Sequence, residues 1–104
     1  MSQKAFLVGA DLGILSGANF SDHMQELELL SKTAGYDIVK VLSQKVSKIN
    51  SSLYLGSGKV DEILNLAKYH NVKYLIFDNE LTPAQSKNIN KKYKKITVSD
   101  RADL

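Results

Sequence analysis

The chain has no cysteine, no tryptophan, two histidines and a single proline among its 104 residues. Without cysteine there is no disulfide framework and no thiolate metal site, a composition that fits a reducing cytoplasm. His23 and His70 stand far apart, with no ligand-spaced partner and no evident nucleophile. Both read as surface residues, and neither a metal centre nor nucleophilic catalysis finds support in them. Asp11, Asp78 and Glu80 would meet at one edge of a sheet, but acids that end strands and precede helices read as caps before they read as a metal site. No N-terminal stretch has the basic, apolar and small-residue order of a signal peptide, and the apolar runs fall far short of a membrane span. A soluble, cytoplasmic protein without a membrane span is the expectation.

What is present is enough apolar residue, 43% of the chain, for one domain with one core, burying roughly 65% of its unfolded surface. The net charge is only +3, but it is unevenly spread. Lys87, Lys91, Lys92, Lys94 and Lys95 fall within one short segment that contains no acid; elsewhere nine basic residues face 11 acidic ones. Two readings stand. Lysines at a helix C-terminus complement its dipole and keep a surface soluble, and clustered lysines also neutralise a nucleic-acid backbone without reading its sequence.

The periodicities run strand, helix, strand, loop, helix, strand, helix, strand. Lys4 to Gly9 is a short apolar strand, followed by a glycine-containing loop from Asp11 to Asn19. Asp22 with Gln25 reads as a capping box, after which Met24, Leu27, Leu30 and Ala34 share a helical face. Gly35 reads as its left-handed C-cap. Tyr36 to Ser43 is the second strand, and residues 44–55 form a long polar connection with Lys45 and Lys48. Connections of that length in compact domains tend to bind something or to move. Val60, Ile63, Leu64 and Ala67 stripe the second helix, Val72 to Phe77 is the third strand, and Ile96 to Val98 the last. Thr82-Pro83-Ala84-Gln85 is the clearest helix start, with Thr82 as cap, Pro83 at the first helical position and Gln85 completing a capping box. That helix runs to about Tyr93, with Ala84, Ile89 and Tyr93 inward.

Apolar strands alternating with helices predict an α/β fold with a four-stranded parallel sheet of order 2-1-3-4 and helices on both faces. In such sheets ligands collect at the carboxyl ends of the strands, near the point where strand order reverses. The loop after the first strand, the segment from Gln44 and Asp78-Asn79-Glu80 would meet there.

Leu53-Tyr54-Leu55-Gly56-Ser57-Gly58-Lys59-Val60 is the most informative run. An apolar strand end, two glycines and a lysine open onto a helix, where free N–H groups and the dipole favour an anion. Lys59 has the wrong sign for a first turn, at a cost of up to about 1 kcal/mol unless an anion faces it; Asp61 and Glu62 partly offset this. The alternative is a plain glycine turn with a solvated lysine. The GxxxxGK[ST] spacing is not met and Val60 stands where a magnesium-binding hydroxyl would be, so hydrolysis of nucleotide by these residues is not expected. Tyr36, Tyr74, Phe6 and Phe77 lie in strands and read as core. Tyr54, beside the glycines, has two readings: stacking on an unpaired base while Lys59 holds a phosphate, or packing.

Ala34-Gly35, Tyr54 to Glu62, Ile76 to Gln85 and Asp100-Arg101 together resemble the N-terminal domain of HflX-type GTPases. The resemblance covers nearly the whole chain, with Ala102 where that family commonly has Thr. It implies a ribosome-associated GTPase whose N-terminal domain docks on the large ribosomal subunit and helps split or rescue stalled ribosomes. GTP and magnesium would belong to a GTP-binding domain expected to follow Leu104, with no cofactor in these residues. On this reading the chain is not itself an enzyme. It contacts rRNA through Tyr54, Gly56, Ser57, Gly58, Lys59, Lys45, Lys48, Lys87, Lys91, Lys92, Lys94 and Lys95. The alternatives are binding of a nucleotide such as ATP by the Gly56–Lys59 loop, and a docking domain for the GTPase half.

Overall fold

A computed structural model describes residues 3–13 and 17–104. Its elements are β1 (Gln3–Asp11), α1 (Gly17–Thr33), β2 (Tyr36–Lys45), α2 (Ser57–Tyr69), β3 (Tyr74–Phe77), α3 (Pro83–Lys92), β4 (Thr97–Asp100) and a closing 3₁₀ turn (Arg101–Asp103). The four strands form one parallel sheet in the order β2-β1-β3-β4, as the alternation of strands and helices predicts.

The alternation of side chains along β1 builds two cores at once. Ala5 and Leu7 face α1, packing with Met24, Leu27 and Ile76. Phe6, Val8 and Ala10 face the other way, toward Val60, Ile63, Leu64 and Ala67 of α2 and Ile89 of α3. All four apolar residues expected on the α2 stripe are buried, each contributing roughly 1.5–3 kcal/mol for a Val-, Leu- or Ile-sized side chain. β2 serves both cores because it carries a bulge. Ala5 pairs with Ile38 but Phe6 with Lys40, which leaves Val39 unmatched. The extra residue inverts the alternation. Tyr36 and Ile38 therefore pack on the α1 side and Leu42 on the α2–α3 side.

The first helix departs from its sequence reading. It begins at Gly17, so Asp22 lies inside it and is not its cap. Residues 14–16 of the expected Asp11–Asn19 loop lie outside the described residues. Met24 and Leu27 are buried as expected, whereas Leu30 is 39% exposed and Ala34 is exposed. Helical spacing from Phe20 through Met24, Leu27 and Ser31 gives the stripe that meets the sheet. Gly35, at φ +100°, is the left-handed residue after the helix that the sequence announced. The α3 start is also as expected. Thr82 Oγ1 accepts from the Gln85 N–H at 3.1 Å and Gln85 Oε1 from the Thr82 N–H at 2.8 Å. Ala84, expected inward, is exposed, and Gln85 takes the buried position. Among the described residues no helix is long and apolar enough to cross a membrane.

Candidate functional site

Because every strand runs the same way, Asp11, Lys45, Phe77 and Asp100 end at one edge of the sheet, and α1, α2 and α3 all start beyond it. Strand order reverses at β1, whose neighbours are β2 and β3. At that point stands Asp78, one residue past β3 and completely buried. Its Oδ1 accepts a 2.6 Å hydrogen bond from the Tyr54 hydroxyl. Its Oδ2 accepts from the Ala10 N–H at 3.3 Å and lies 3.2 Å from His23 Nε2 on α1. A buried carboxylate is tolerated only when paired and hydrogen-bonded, and these three partners meet that condition. Asp78 thereby joins β1, α1 and the turn before α2. Among the described residues no cluster of His, Asp or Glu has a metal-binding arrangement.

Tyr54 is the residue the sequence left most open. It is 2% exposed, and its ring packs edge-on against Phe77 with centroids 5.2 Å apart. The base-stacking reading is corrected: neither face is accessible to an unpaired base. Burial, reinforced by the Asp78 carboxylate, raises the pKa of its hydroxyl well above the ordinary tyrosine value. Its φ is +71°, a left-handed conformation that costs an L-residue roughly 1–2 kcal/mol and that the hydroxyl bond and ring packing hold in place.

The 46–55 connection is neither loose nor vacant. Asn50 and Tyr54 form an antiparallel bridge, with Asn50 Oδ1 accepting the N–H groups of Ser52 and Leu53 at 2.8 Å each. Gln85 Nε2 donates to the Asn50 carbonyl at 2.8 Å and Asn88 Nδ2 to the Ser52 carbonyl at 3.0 Å. The basic connection is thus bound side by side with α3. Just before α3, the Leu81 N–H donates to Asp100 at 2.8 Å; Asp100 also caps the 3₁₀ turn, while Arg101 pairs with Glu26 of α1 at 2.9 Å.

Gly56 is the N-cap of α2, with no side-chain cap bond. Its φ of −62° is open to any residue, and a Cβ at Gly56 or Gly58 would meet nothing within 4 Å. Neither glycine is required by backbone conformation or by packing inside this domain. Lys59 is not the uncompensated charge that a lysine in the first turn suggested, since Glu62 lies 3.8 Å from its ammonium. Lys92 is likewise paired, at 2.9 Å, with Asp61. The two lysines thus offset the acids of α2.

Lys45, Lys48, Lys87, Lys91, Lys94 and Lys95 are exposed, and among the described residues none has a carboxylate partner. The bond between Asn88 and Ser52 brings the 46–55 connection, with Lys48, against the helix that carries Lys87 and Lys91. Sequence reading missed His23, whose contact with Asp78 spans 55 residues and has no local signature. It saw Gln85 only as a cap, although the same side chain also anchors Asn50.

The fold defines a class: a small doubly wound α/β domain whose strand ends are tied by a buried carboxylate. The family model described as GTP-binding GTPase N-terminal matches residues 21–104, and the chain belongs to that family, as an HflX-type N-terminal domain. It is 38% identical over 89 residues to the GTPase HflX of Flavobacterium psychrophilum, covering 86% of this chain and 22% of that protein. It is 38% identical over 102 residues to the GTPase HflX of Alkalihalophilus pseudofirmus, covering 98% of this chain and 24% of that protein. The GTPase HflX of Methanocaldococcus jannaschii is 35% identical over 81 residues, 78% of this chain and 19% of its own. The chain spans about a quarter of the length of the first two relatives.

Proposed function

We propose that this domain is the rRNA-binding part of an HflX-like GTP-binding protein acting on the large ribosomal subunit in the cytoplasm, helping to split or rescue stalled ribosomes. GTP and magnesium would be held by a downstream GTPase domain and used there. The observation that carries the reading is a set of exposed, unpaired lysines: Lys48 on the 46–55 connection and Lys87 and Lys91 on α3, two segments hydrogen-bonded to one another, with Lys45 at the end of β2 and Lys94 and Lys95 just beyond α3. Phosphate contacts of this kind give affinity that falls steeply with salt. The role of Gly56, Ser57, Gly58 and Lys59 in this reading is a secondary one, because Asp61 and Glu62 follow immediately. The test is sedimentation of the domain with large subunits across a salt series. Steep loss of binding with salt supports RNA contact, and salt-insensitive binding, or none at low salt, overturns it.

A second reading, docking onto the GTPase half or another protein, is favoured by a groove along α2 lined by Gly58, Asp61, Glu62, Asn65, Leu66 and Tyr69. Tyr69 is 84% exposed there, an aromatic side chain of the kind enriched at protein interfaces. A pulldown with the GTPase domain, comparing wild type with Tyr69→Ala, tests it; equal capture of both excludes the groove.

A further inference from the structure

A cleft of about 180 Å³ opens beside Asp78 at the carboxyl ends of β1 and β3, lined by Ala10, Asp11, Leu12, Phe20, His23 and Asn79 together with Asp78 itself. It sits where strand order reverses, the place at which open α/β sheets bind ligands, and it is separate from the lysines and from the Gly56–Lys59 turn. Three features define what fits. The cleft is smaller than the roughly 300–1,000 Å³ of drug-sized pockets, which suits a single planar group. Its wall carries the Phe20 and His23 rings, 6.0 Å apart and inclined by 36°, a surface on which a flat heterocycle stacks. Among the described residues its lining has two carboxylates and no lysine or arginine, which disfavours a phosphate as the bound group and favours one that offers N–H donors.

The two carboxylates are not equivalent. Both oxygens of Asp78 are engaged, by Tyr54 on one side and by Ala10 and His23 on the other. Asp11 accepts one bond from the Gly13 N–H at 2.9 Å through Oδ1, and among the described residues its Oδ2 has no partner. A carboxylate has about four lone-pair sites, so Asp11 retains acceptor capacity. Asn79 is exposed at the rim; its Nδ2 donates to the Tyr54 hydroxyl at 3.4 Å, which leaves its Oδ1 as an acceptor.

We infer that this cleft binds a nucleobase bearing an exocyclic amine, stacked on Phe20 and His23, with its amino edge on Asp11 and Asn79. The base can come from a free nucleoside or from an unpaired position in an RNA strand. Only the second source rests on the RNA-binding reading above.

Amide NMR of the domain titrated separately with guanosine, cytidine, uridine, a short unstructured oligonucleotide and an abasic ribose-phosphate oligomer tests the assignment. Guanosine or cytidine at millimolar concentration should shift Ala10, Asp11, Leu12 and Asn79 and leave residues 87–95 unmoved, with uridine at least several-fold weaker. Stronger binding of the oligonucleotide than of any nucleoside at the same amides identifies an RNA base as the source. The reverse order identifies a free nucleoside. The abasic oligomer should move only the lysine segments, so failure of the lysine reading and failure of the cleft reading are seen at different amides. Asn79→Ala, at an exposed position, and Asp11→Asn should each weaken guanosine at least five-fold while the spectrum stays that of a folded domain. No shift at these four amides with any base, or uridine equal to guanosine and cytidine, overturns the inference.

Discussion

The Tyr54 hydroxyl donates a 2.6 Å hydrogen bond to Asp78 across 24 residues of sequence, joining the turn that launches α2 to the end of β3. Both groups are buried, so the bond is protected from water and its loss strands a carboxylate oxygen in the core. An unsatisfied buried group costs about 1–3 kcal/mol, more when charged. It also holds Tyr54 at φ +71°, and the start of α2 is set by that turn.

Tyr54→Phe should therefore destabilise the domain by about 1–3 kcal/mol at pH 7, read from urea unfolding. The pair is also pH-dependent. Tyrosine in an unfolded chain titrates near 10, and the folded value is raised by burial first and by Asp78 second. The proton is held more tightly in the folded state, so the stabilisation is complete below about pH 10 and is lost as pH rises through the raised value. The slope from this group is at most about 1.4 kcal/mol per pH unit. Tyr54→Phe should lack that alkaline component, and an identical pH profile in the two proteins would refute the assignment.

Asp78→Ala should be the more severe change, because it leaves the Tyr54 hydroxyl, the Ala10 N–H and His23 without their shared acceptor. The two buried donors, the Tyr54 hydroxyl and the Ala10 N–H, each cost about 1–3 kcal/mol when left unsatisfied, so a loss of roughly 2–6 kcal/mol is expected. His23→Ala removes only the partner that is 22% exposed and should cost less than half as much. Equal losses from the two substitutions would mean that Asp78 acts through His23 alone.

Gly9 faces α1, and a Cβ there would lie 2.6 Å from Met24 Sδ and 3.0 Å from Phe20 Cζ. Gly9→Ala should cost about 1 kcal/mol through overpacking, the low end of the usual range because only side-chain ends have to give way. The cost should shrink in a Met24→Ala background, where the obstructing sulfur is gone, giving a non-additive double-mutant cycle. Additive losses would show that the strain is relieved elsewhere.

Gln85→Ala removes both a capping partner of α3 and the bond to the Asn50 carbonyl. A loss of about 1–2 kcal/mol is expected from the cap alone. Amide exchange at Tyr54, whose N–H bonds to the Asn50 carbonyl, should rise beyond the global change. Exchange that follows global stability alone would assign Gln85 to helix capping only.

Reversing Lys87, Lys91, Lys94 and Lys95 to Glu together should abolish most salt-dependent attachment to large subunits, each lysine in phosphate contact accounting for about one unit of the log–log salt slope. Lys59→Ala should do less, because Glu62 already lies beside Lys59. A larger effect from Lys59 than from the four lysines would move the RNA contact to the α2 turn.

The fold class, the strand order and the start of α3 were legible in the chain because each is a local or periodic signal. Apolar strands between helical stripes leave few right-handed parallel arrangements, and Thr82-Pro83-Ala84-Gln85 closes its capping bonds within one turn. The α2 stripe and Gly35 were legible for the same reason. The start of α1 was misplaced because Asp22-x-x-Gln25 imitates a cap; the helix runs on through it, and tertiary packing of Phe20 and Met24 on the sheet outweighs the local signal.

The candidate site depended on more than local signals. The sequence by itself determined which residues are chemically able to meet an anion: the glycines, Lys59 and the lysines from 87 to 95. Only the tertiary structure decided which of these are free. Lys92 is taken up by Asp61, 31 positions away, and Tyr54 is turned inward onto Asp78, whereas the pairing of Lys59 with Glu62 lies within one turn of α2 and was open to the sequence. The physical reason is that ion pairing and burial depend on distances between residues dozens of positions apart. A one-dimensional pattern carries charge and periodicity, but the parallel sheet sets which carboxylate each lysine, tyrosine and histidine reaches.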